Sequence, residues 1–324
     1  MTTDDNAPVI GIFRTIPGEL VVQGARVETL GAGLPTREQQ LEFSRGKTVL
    51  VSCFSDRVDG ELLDAAGPQL KGVCNFAVGY DNIDVAACRE RGIPVSNTPD
   101  AVTEGTADAA WLLIMATARK LIAADRYARS GQWADDGPIG MAEWLGMDLT
   151  GRTLLIVGAG RIGYATALRS QGWGMRVQYV ARSPHIEFEM SPLAAQRVTL
   201  EEGLRQADVV SIHTPLTDET RHLIGAREIG LMKPTAILVN TARGPVVDES
   251  ALAAALKEGT IWGAGLDVFE HEPRVHPDLV GLDNITMMPH IGSAEKRWRE
   301  EMTRMVGRNA ERMLRGERPV NPVG

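Results

Sequence analysis

The chain has 324 residues, of which 44% are hydrophobic and 23% charged, and its formal net charge is -8. That length exceeds one ordinary core and fits two domains. The acidic balance argues against nucleic acid or an anionic membrane as a partner, because a binder of either needs an excess of Lys and Arg. Cys53, Cys74 and Cys88 are widely spaced and odd in number, without a Cys-x-x-Cys pair. Neither a disulfide framework nor a thiolate metal site is expected from them, and reduced thiols are. The start, Met-Thr-Thr-Asp-Asp-Asn, is polar and acidic, unlike a secretory or transit signal. The longest uncharged apolar run, Ala109 to Ala118, is too short to span a bilayer. A soluble, cytoplasmic protein with no nucleic-acid or membrane partner is expected.

Along the chain, short β-rich apolar runs alternate with helical stretches, the pattern of an α/β protein with parallel sheets. The first third offers strands at Val9–Phe13, Thr48–Cys53, Leu70–Asn75 and Pro94–Asn97, with helices at Gly60–Ala66 and Ile83–Arg91, the latter stopped by Gly92. A helix from Thr106 to Lys120 is apolar nearly all round and reads as core or as a subunit interface, favouring a homodimer. The stretch Gly131–Gly146, with its Gly, Pro, Asp and two Trp, reads as a loop. A second strand series follows at Thr153–Val157, Val177–Val180, Val209–His213, Ala236–Asn240, Ile261–Leu266 and Ile285–Met288. The charged segment from Ala294 to Gly316 reads as a helix capping one domain from outside. Two doubly wound α/β domains are expected.

Directly after the strand Thr153–Val157 comes Gly158-Ala159-Gly160-Arg161-Ile162-Gly163, a Gly-x-Gly-x-x-Gly turn that opens a helix, Tyr164–Gln171. Gly158 permits the tight turn, Gly160 lets the backbone approach a pyrophosphate, and Gly163 lets helix and strand pack closely. The helix N-terminus offers its N–H groups to phosphate. Strand–turn–helix context makes this a dinucleotide site. An NAD site carries an acid about 20 residues on, at the ribose. Here Arg182 stands 19 residues after Gly163 and is followed by Ser183. A guanidinium and a hydroxyl suit a 2′-phosphate, so NADP(H) is expected to be preferred, with NAD(H) possible.

Three later stretches lie at the ends of predicted strands, where open α/β sheets place their ligands: Asn240–Gly244, Asp267–Pro273 and Pro289–Ser293. Together they supply one cation, several carboxylates and an imidazole, the set that reduction of a 2-keto acid requires. Arg243 can hold a carboxylate and polarise a ketone, and His290 can give a proton to the forming alkoxide. Glu272 beside the imidazole would favour its protonated form and fix its orientation. Glu270 is close in sequence, and only register separates it from Glu272. His185, His222, His271 and His276 read as solvated loop or helix-end residues, and no metal site is expected.

On Gly-Ala-Gly-Arg-Ile-Gly at 158–163, His-Thr-Pro-Leu at 213–216, Leu-Met-Lys-Pro-x-Ala-Ile-Leu-Val-Asn-Thr-Ala-Arg-Gly at 231–244, Gly-Ala-Gly-Leu-Asp-Val-Phe at 263–269 and Pro-His-Ile-Gly-Ser-Ala at 289–294, the chain resembles the D-isomer-specific 2-hydroxyacid dehydrogenases. The resemblance covers essentially the full length and leans toward the glyoxylate/hydroxypyruvate reductase branch. It implies a Rossmann cofactor domain at 104–291 and a flavodoxin-like substrate domain at 1–103 plus 292–324, with catalysis in a cleft between them. It makes Arg243 the substrate-carboxylate binder and His290 the acid/base, with Glu272 as partner. The backbone of Val78 and Gly79 would meet the substrate carboxylate. Thr106, Arg161, Ile162, His213, Thr214, Pro215, Thr241, Ala242, Asp267 and Gly292 would join the glycines at the cofactor. Trp133 and Trp144 lie on a loop that in such proteins can reach a partner subunit. Glu272 speaks against formate dehydrogenase, which has glutamine there, and Val78 against phosphite dehydrogenase, which has lysine. A short phosphoglycerate dehydrogenase, phosphite dehydrogenase and a dinucleotide-sensing co-repressor remain alternatives.

Overall fold

The structure is a computed structural model and describes residues 7–324; the first six residues of the expected substrate domain, and the polar start read above, lie outside the described residues. By its internal contacts the chain divides into two units, Met1–Val102 with Ala294–Gly324, and Thr103–Ser293.

The first unit is built on a six-stranded sheet. Its strands are β1 (Val9–Ile12), β2 (Arg26–Thr29), β3 (Val49–Cys53), β4 (Gly72–Phe76) and β5 (Val95–Ser96), all parallel, with β13 (Pro322–Val323) antiparallel on β5. The order β2-β1-β3-β4-β5 is that of flavodoxin-like sheets. β3 and β4 are buried at every position, as strands covered on both faces must be. On one face Leu50 and Val73 pack with Leu62, Leu63 and Ala66 of the helix Gly60–Ala66, whose first turn is capped by Asp59. The helix Lys296–Leu314 packs on β3 and β4. Its buried Met302, Met305, Val306, Asn309, Ala310 and Met313 recur at helical spacing. A Cβ on Gly72 would stand 2.3 Å from Met313 Sδ, so glycine is what admits this helix.

The second unit carries β6 (Thr153–Val157), β7 (Arg176–Val180), β8 (Gln196–Arg197), β9 (Val209–Ile212), β10 (Ile237–Asn240), β11 (Gly263–Leu266) and β12 (Ile285–Met287). All pairings are parallel, in the order β12-β11-β10-β9-β6-β7-β8. From β8 inward this is the Rossmann order, with its reversal between β6 and β9. Alternate residues feed two cores. Leu155, Val157, Val210, Ile212 and Leu238 face the helices Leu200–Gln206 and Glu249–Glu258, while Leu154, Ile156, Val209, Ile237 and Val239 face the helix Thr103–Ala118.

The helix Thr103–Ala118 is core, one of the two readings its sequence left open: Ala110, Leu113 and Ile114 are fully buried, while Leu112 is 54% exposed. The expected loop 131–146 contains a short helix, Gln132–Asp136, set between Gly131 and Gly137, which both have positive φ and punctuate it. Ahead of it a helix Leu121–Ser130 restarts after Lys120, which takes the left-handed conformation at φ 54. Among the described residues no helix is long and apolar enough to cross a membrane.

Candidate active site

Every candidate residue of the second unit except Thr106 sits in a loop leaving the C-terminal end of a strand or at the start of the helix after it; Thr106 lies, buried, in the first turns of the helix Thr103–Ala118. After β6 the glycine turn is dictated by close approaches. Gly158 has φ 104, and a Cβ there would lie 2.7 Å from the carbonyl carbon of His213 and 2.8 Å from Thr214 N. A Cβ on Gly163 would lie 2.4 Å from Gly158 O, so turn and helix touch only because both residues are glycine. Gly160 is different: nothing stands within 4 Å of where its Cβ would be. That open space, at the N-cap of the helix Arg161–Arg169 and without a side chain to cap its first turn, is the cradle a pyrophosphate requires. Arg161 and Ile162 form the first turn of the same helix.

Two neighbouring loops add polar atoms that the protein leaves unsatisfied. Thr214 Oγ1, after β9, and Thr241 Oγ1, after β10, are buried and have no hydrogen-bond partner. A buried hydroxyl without a partner costs free energy, and a bound nucleotide would supply one. Next to Thr214 stands His213, whose Nε2 is 2.8 Å from Ser211 Oγ and whose imidazole burial pushes down to about 3. That burial keeps the ring neutral near neutral pH. Pro215 O accepts from Thr220 Oγ1 at 2.7 Å, closing that loop. The residues present therefore fit a dinucleotide.

At the end of β7, Arg182 and Ser183 are exposed. The main chain there is braced by a residue the sequence reading missed, Arg197, which donates to Ala181 O at 3.1 and 3.0 Å and to Arg182 O at 2.7 Å.

The catalytic candidates follow β10, β11 and β12, which are adjacent strands. His290 Nδ1 and Glu272 Oε2 are 2.7 Å apart. Glu272 Oε1 accepts from Phe269 N at 3.0 Å, which fixes the carboxylate's plane. Burial works upward on the Glu272 carboxyl, but the His290 hydrogen bond, the charges of His290 and Arg243 and the Phe269 amide together hold it below the ordinary glutamate value. An ionised Glu272 can only accept, so Nδ1 carries a hydrogen and Nε2 is the nitrogen on the opposite edge of the ring. The backbone of His290 has φ 54, in the left-handed region, and its N–H donates to Asp267 O at 2.7 Å. Such a conformation is costly for a non-glycine residue and persists where the surroundings hold it.

Asp267 holds this turn. Its Oδ1 accepts from Ile291 N at 2.8 Å and its Oδ2 from Gly292 N at 2.7 Å. A Cβ on Gly292 would stand 2.6 Å from that Oδ2. Burial raises the Asp267 carboxyl above its ordinary value. Arg243 is half-buried and anchored through its backbone: Asn240 Nδ2 donates to Arg243 O at 2.8 Å, and Ala242 N donates to Asn240 Oδ1 at 3.0 Å. The guanidinium donates to Ala242 O at 2.8 Å. Gly244 is obligatory, since a Cβ there would fall 1.9 Å from the carbonyl carbon of Phe269, which ties the Arg243 loop to the loop carrying Glu272. Register separates the two glutamates: Glu270 accepts from Glu249 N at 2.8 Å and reaches His222 at 2.9 Å, away from His290. Val78 and Gly79 belong to the first unit, half-exposed beyond the end of β4. Among the described residues no group of three or more His, Cys, Asp and Glu is placed to hold a metal ion.

A Rossmann sheet with an open glycine cradle and an acid-backed imidazole defines a dinucleotide-dependent oxidoreductase. Residues 111–292 match the profile of the D-isomer specific 2-hydroxyacid dehydrogenases, NAD binding domain. The glyoxylate reductase of Thermococcus onnurineus is 50% identical over 289 residues, covering 88% of this chain and 85% of the relative. That of Pyrococcus furiosus is 49% identical over 284 residues, covering 87% and 84%. Among solved structures, a protein of Thermus thermophilus superposes with a TM-score of 0.91 at 41% identity, over 98% of this chain and 100% of that one. An NADPH-dependent glyoxylate/hydroxypyruvate reductase of Sinorhizobium meliloti, in complex with NADP and malonate, gives 0.84 at 32%, over 98% and 97%. The chain belongs to the D-isomer-specific 2-hydroxyacid dehydrogenase family. It is an oxidoreductase of hydroxy acids that binds a pyridine nucleotide, and glyoxylate reductases are among its relatives.

Proposed function

We propose that the protein reduces small 2-keto acids, glyoxylate or hydroxypyruvate foremost, to the D-2-hydroxy acid with NADPH as preferred reductant. The observation that carries the reading is the His290–Glu272 pair at 2.7 Å, with Arg243 close enough that its charge acts on Glu272. When bound, the reduced nicotinamide supplies a hydride to the keto carbon. Arg243 pairs with the substrate carboxylate and polarises the keto oxygen. As negative charge gathers on that oxygen, His290 Nε2 gives it a proton, and Glu272 stabilises the cationic ring and keeps its orientation. The resting state returns when His290 takes a proton from solvent. Thr106, Thr214, Pro215, Thr241, Ala242 and the glycine turn hold the coenzyme, and Asp267 shapes the Gly292 turn at its reactive end. The amides of Val78 and Gly79 are read as donors to the substrate carboxylate, which makes the first unit the substrate domain.

NADP preference is supported by Arg182 and Ser183 at the end of β7, where an NAD site has an acid, and by the NADP complex of the Sinorhizobium meliloti relative. The test is steady-state turnover of a panel of 2-keto acids with NADPH and with NADH. Glyoxylate or hydroxypyruvate should lead the panel, with a higher kcat/KM for NADPH. Arg182→Ala should weaken NADPH about tenfold or more, the size of one charge-assisted contact, and NADH little. Equal losses contradict the cofactor assignment, and tight NADPH binding with no turnover on any keto acid contradicts the enzyme.

The reading also takes the protein as a cytoplasmic homodimer. The three cysteines are free and buried, their thiols pushed up to about 11, 12 and 11 for Cys53, Cys74 and Cys88, which suits a reducing compartment. Trp133, Met141 and Leu145 are 51%, 96% and 62% exposed in one stretch of chain, an apolar surface of the kind subunit interfaces cover. Sedimentation at micromolar concentration should give a dimer, and a monomer there contradicts this part.

A further inference from the structure

Three successive peptide groups just beyond β4 are held by their oxygens. Ala77 O accepts from Thr98 N at 3.0 Å. Val78 O accepts from Asn97 Nδ2 at 2.7 Å, and Gly79 O from Asn75 Nδ2 at 2.7 Å. These peptides are trans, and a trans peptide points its N–H opposite to its C=O. Pinning the three oxygens therefore fixes the directions of the N–H groups of Val78, Gly79 and Tyr80. None of those three N–H groups donates to a protein acceptor among the described residues.

The asparagines are themselves held. Asn75 is fully buried, and Ser52 Oγ donates to its Oδ1 at 3.0 Å. Its neighbour Asn82 uses its own Nδ2 on Cys53 O at 3.0 Å and Asp56 O at 2.9 Å, so the far end of the segment is tied to the loop after β3. A buried amide with both ends engaged and a second amide on the adjacent carbonyl make a rigid frame. Its unsatisfied output is a run of main-chain donors at half-exposed residues, with no formal charge of its own. Such a run suits a small carboxylate.

We propose that Asn97 and Asn75 are positioning residues that aim the Val78, Gly79 and Tyr80 amides at the carboxylate of a short 2-keto acid. This rests on the function proposed above and deepens it, since that reading uses the amides of Val78 and Gly79 without saying what holds them. Asn97 is the better probe, because it is only partly buried, whereas Asn75 lies in the core. Asn97→Asp keeps the shape but turns the donor into an acceptor facing Val78 O, and the loop loses its frame. Asn97→Gln keeps the amide.

The experiment measures oxalate binding to the NADPH-loaded protein by nucleotide fluorescence, with glyoxylate kinetics and thermal unfolding alongside. For Asn97→Asp, the oxalate Kd and the glyoxylate KM should rise about tenfold or more, as for loss of a bond to a charged group. NADPH affinity should stay within about twofold, since the nucleotide does not use this segment, and Asn97→Gln should recover part of the loss. Oxalate affinity within about twofold of wild type in a folded Asn97→Asp protein overturns the proposal, as does a parallel loss of NADPH binding, which would mark a general structural role. An unmodified protein that neither turns over 2-keto acids nor binds oxalate overturns the proposed function as well. An active unmodified protein with an unaffected variant overturns this inference alone.

Discussion

At the residue scale, the site contrasts two histidines in opposite environments. His290 faces the Glu272 carboxylate at 2.7 Å, while the His213 ring, on a half-buried residue, lies 2.8 Å from the Ser211 hydroxyl. Burial moves the His213 imidazole from 6.5 down to about 3. In the unfolded chain that ring takes up its proton near pH 6.5, so between those two values the unfolded state binds more protons than the folded one. The contribution of a neutral His213 to stability is thus complete above pH 6.5 and is lost progressively as pH falls toward 3. His213→Asn removes the titration. The variant's Tm should decline less than the wild type's between about pH 7 and about pH 4. Parallel slopes would show that His213 is not buried neutral. In sequence the two rings stand in different contexts: His290 is read as the proton donor with Glu272 beside it, and His213, before Thr-Pro at a strand end, as a residue of the cofactor loop. The amides of Asn75, Asn97 and Asn240 were not legible in that way. They act on backbone carbonyls, and a side chain bonded to main chain leaves neither a periodicity nor a motif.

At the element scale, what could be read depended on burial. β3, β4, β6 and β9 are buried on both faces and appear in sequence as mostly apolar runs, so they were found to within one or two residues. β2, with the sequence Arg-Val-Glu-Thr, and β8, with Gln-Arg, lie at sheet edges and carry charged or polar side chains, so no apolar run marks them. The helix Leu121–Ser130 buries none of its residues, and Leu121 is 50% exposed, so its apolar positions announce no core. Glycine spacing was the most informative element signal, and it also gives the sharpest test. Gly160 has φ -86 and open space where a Cβ would stand. Gly160→Ala should therefore leave Tm nearly unchanged, within about half a kcal/mol of stability, as surface changes do. The same change should weaken NADPH about tenfold or more, because the methyl occupies room meant for phosphate. Nucleotide affinity that survives this change would mean the turn does not cradle the pyrophosphate. Gly163→Ala makes the contrast, since its Cβ would meet Gly158 O at 2.4 Å and fold and binding should fail together.

At the scale of the whole molecule, both sheets are doubly wound, and in each the residues of interest cluster beyond the carboxyl ends of parallel strands, as open α/β sheets dictate. The general form was legible because alternating strands and helices admit few topologies. The strand orders were not legible from periodicity and came through the family resemblance. The central claim is chemical: His290, held by ionised Glu272, gives the proton that completes reduction of a keto acid. It is tested most directly by rapid mixing of His290→Ala with NADPH and saturating glyoxylate, following the first turnover. The account predicts NADPH binding within about twofold of wild type and a first turnover slowed roughly 10²–10⁴-fold, the usual contribution of a positioned acid. A first turnover within about tenfold of wild type would contradict it.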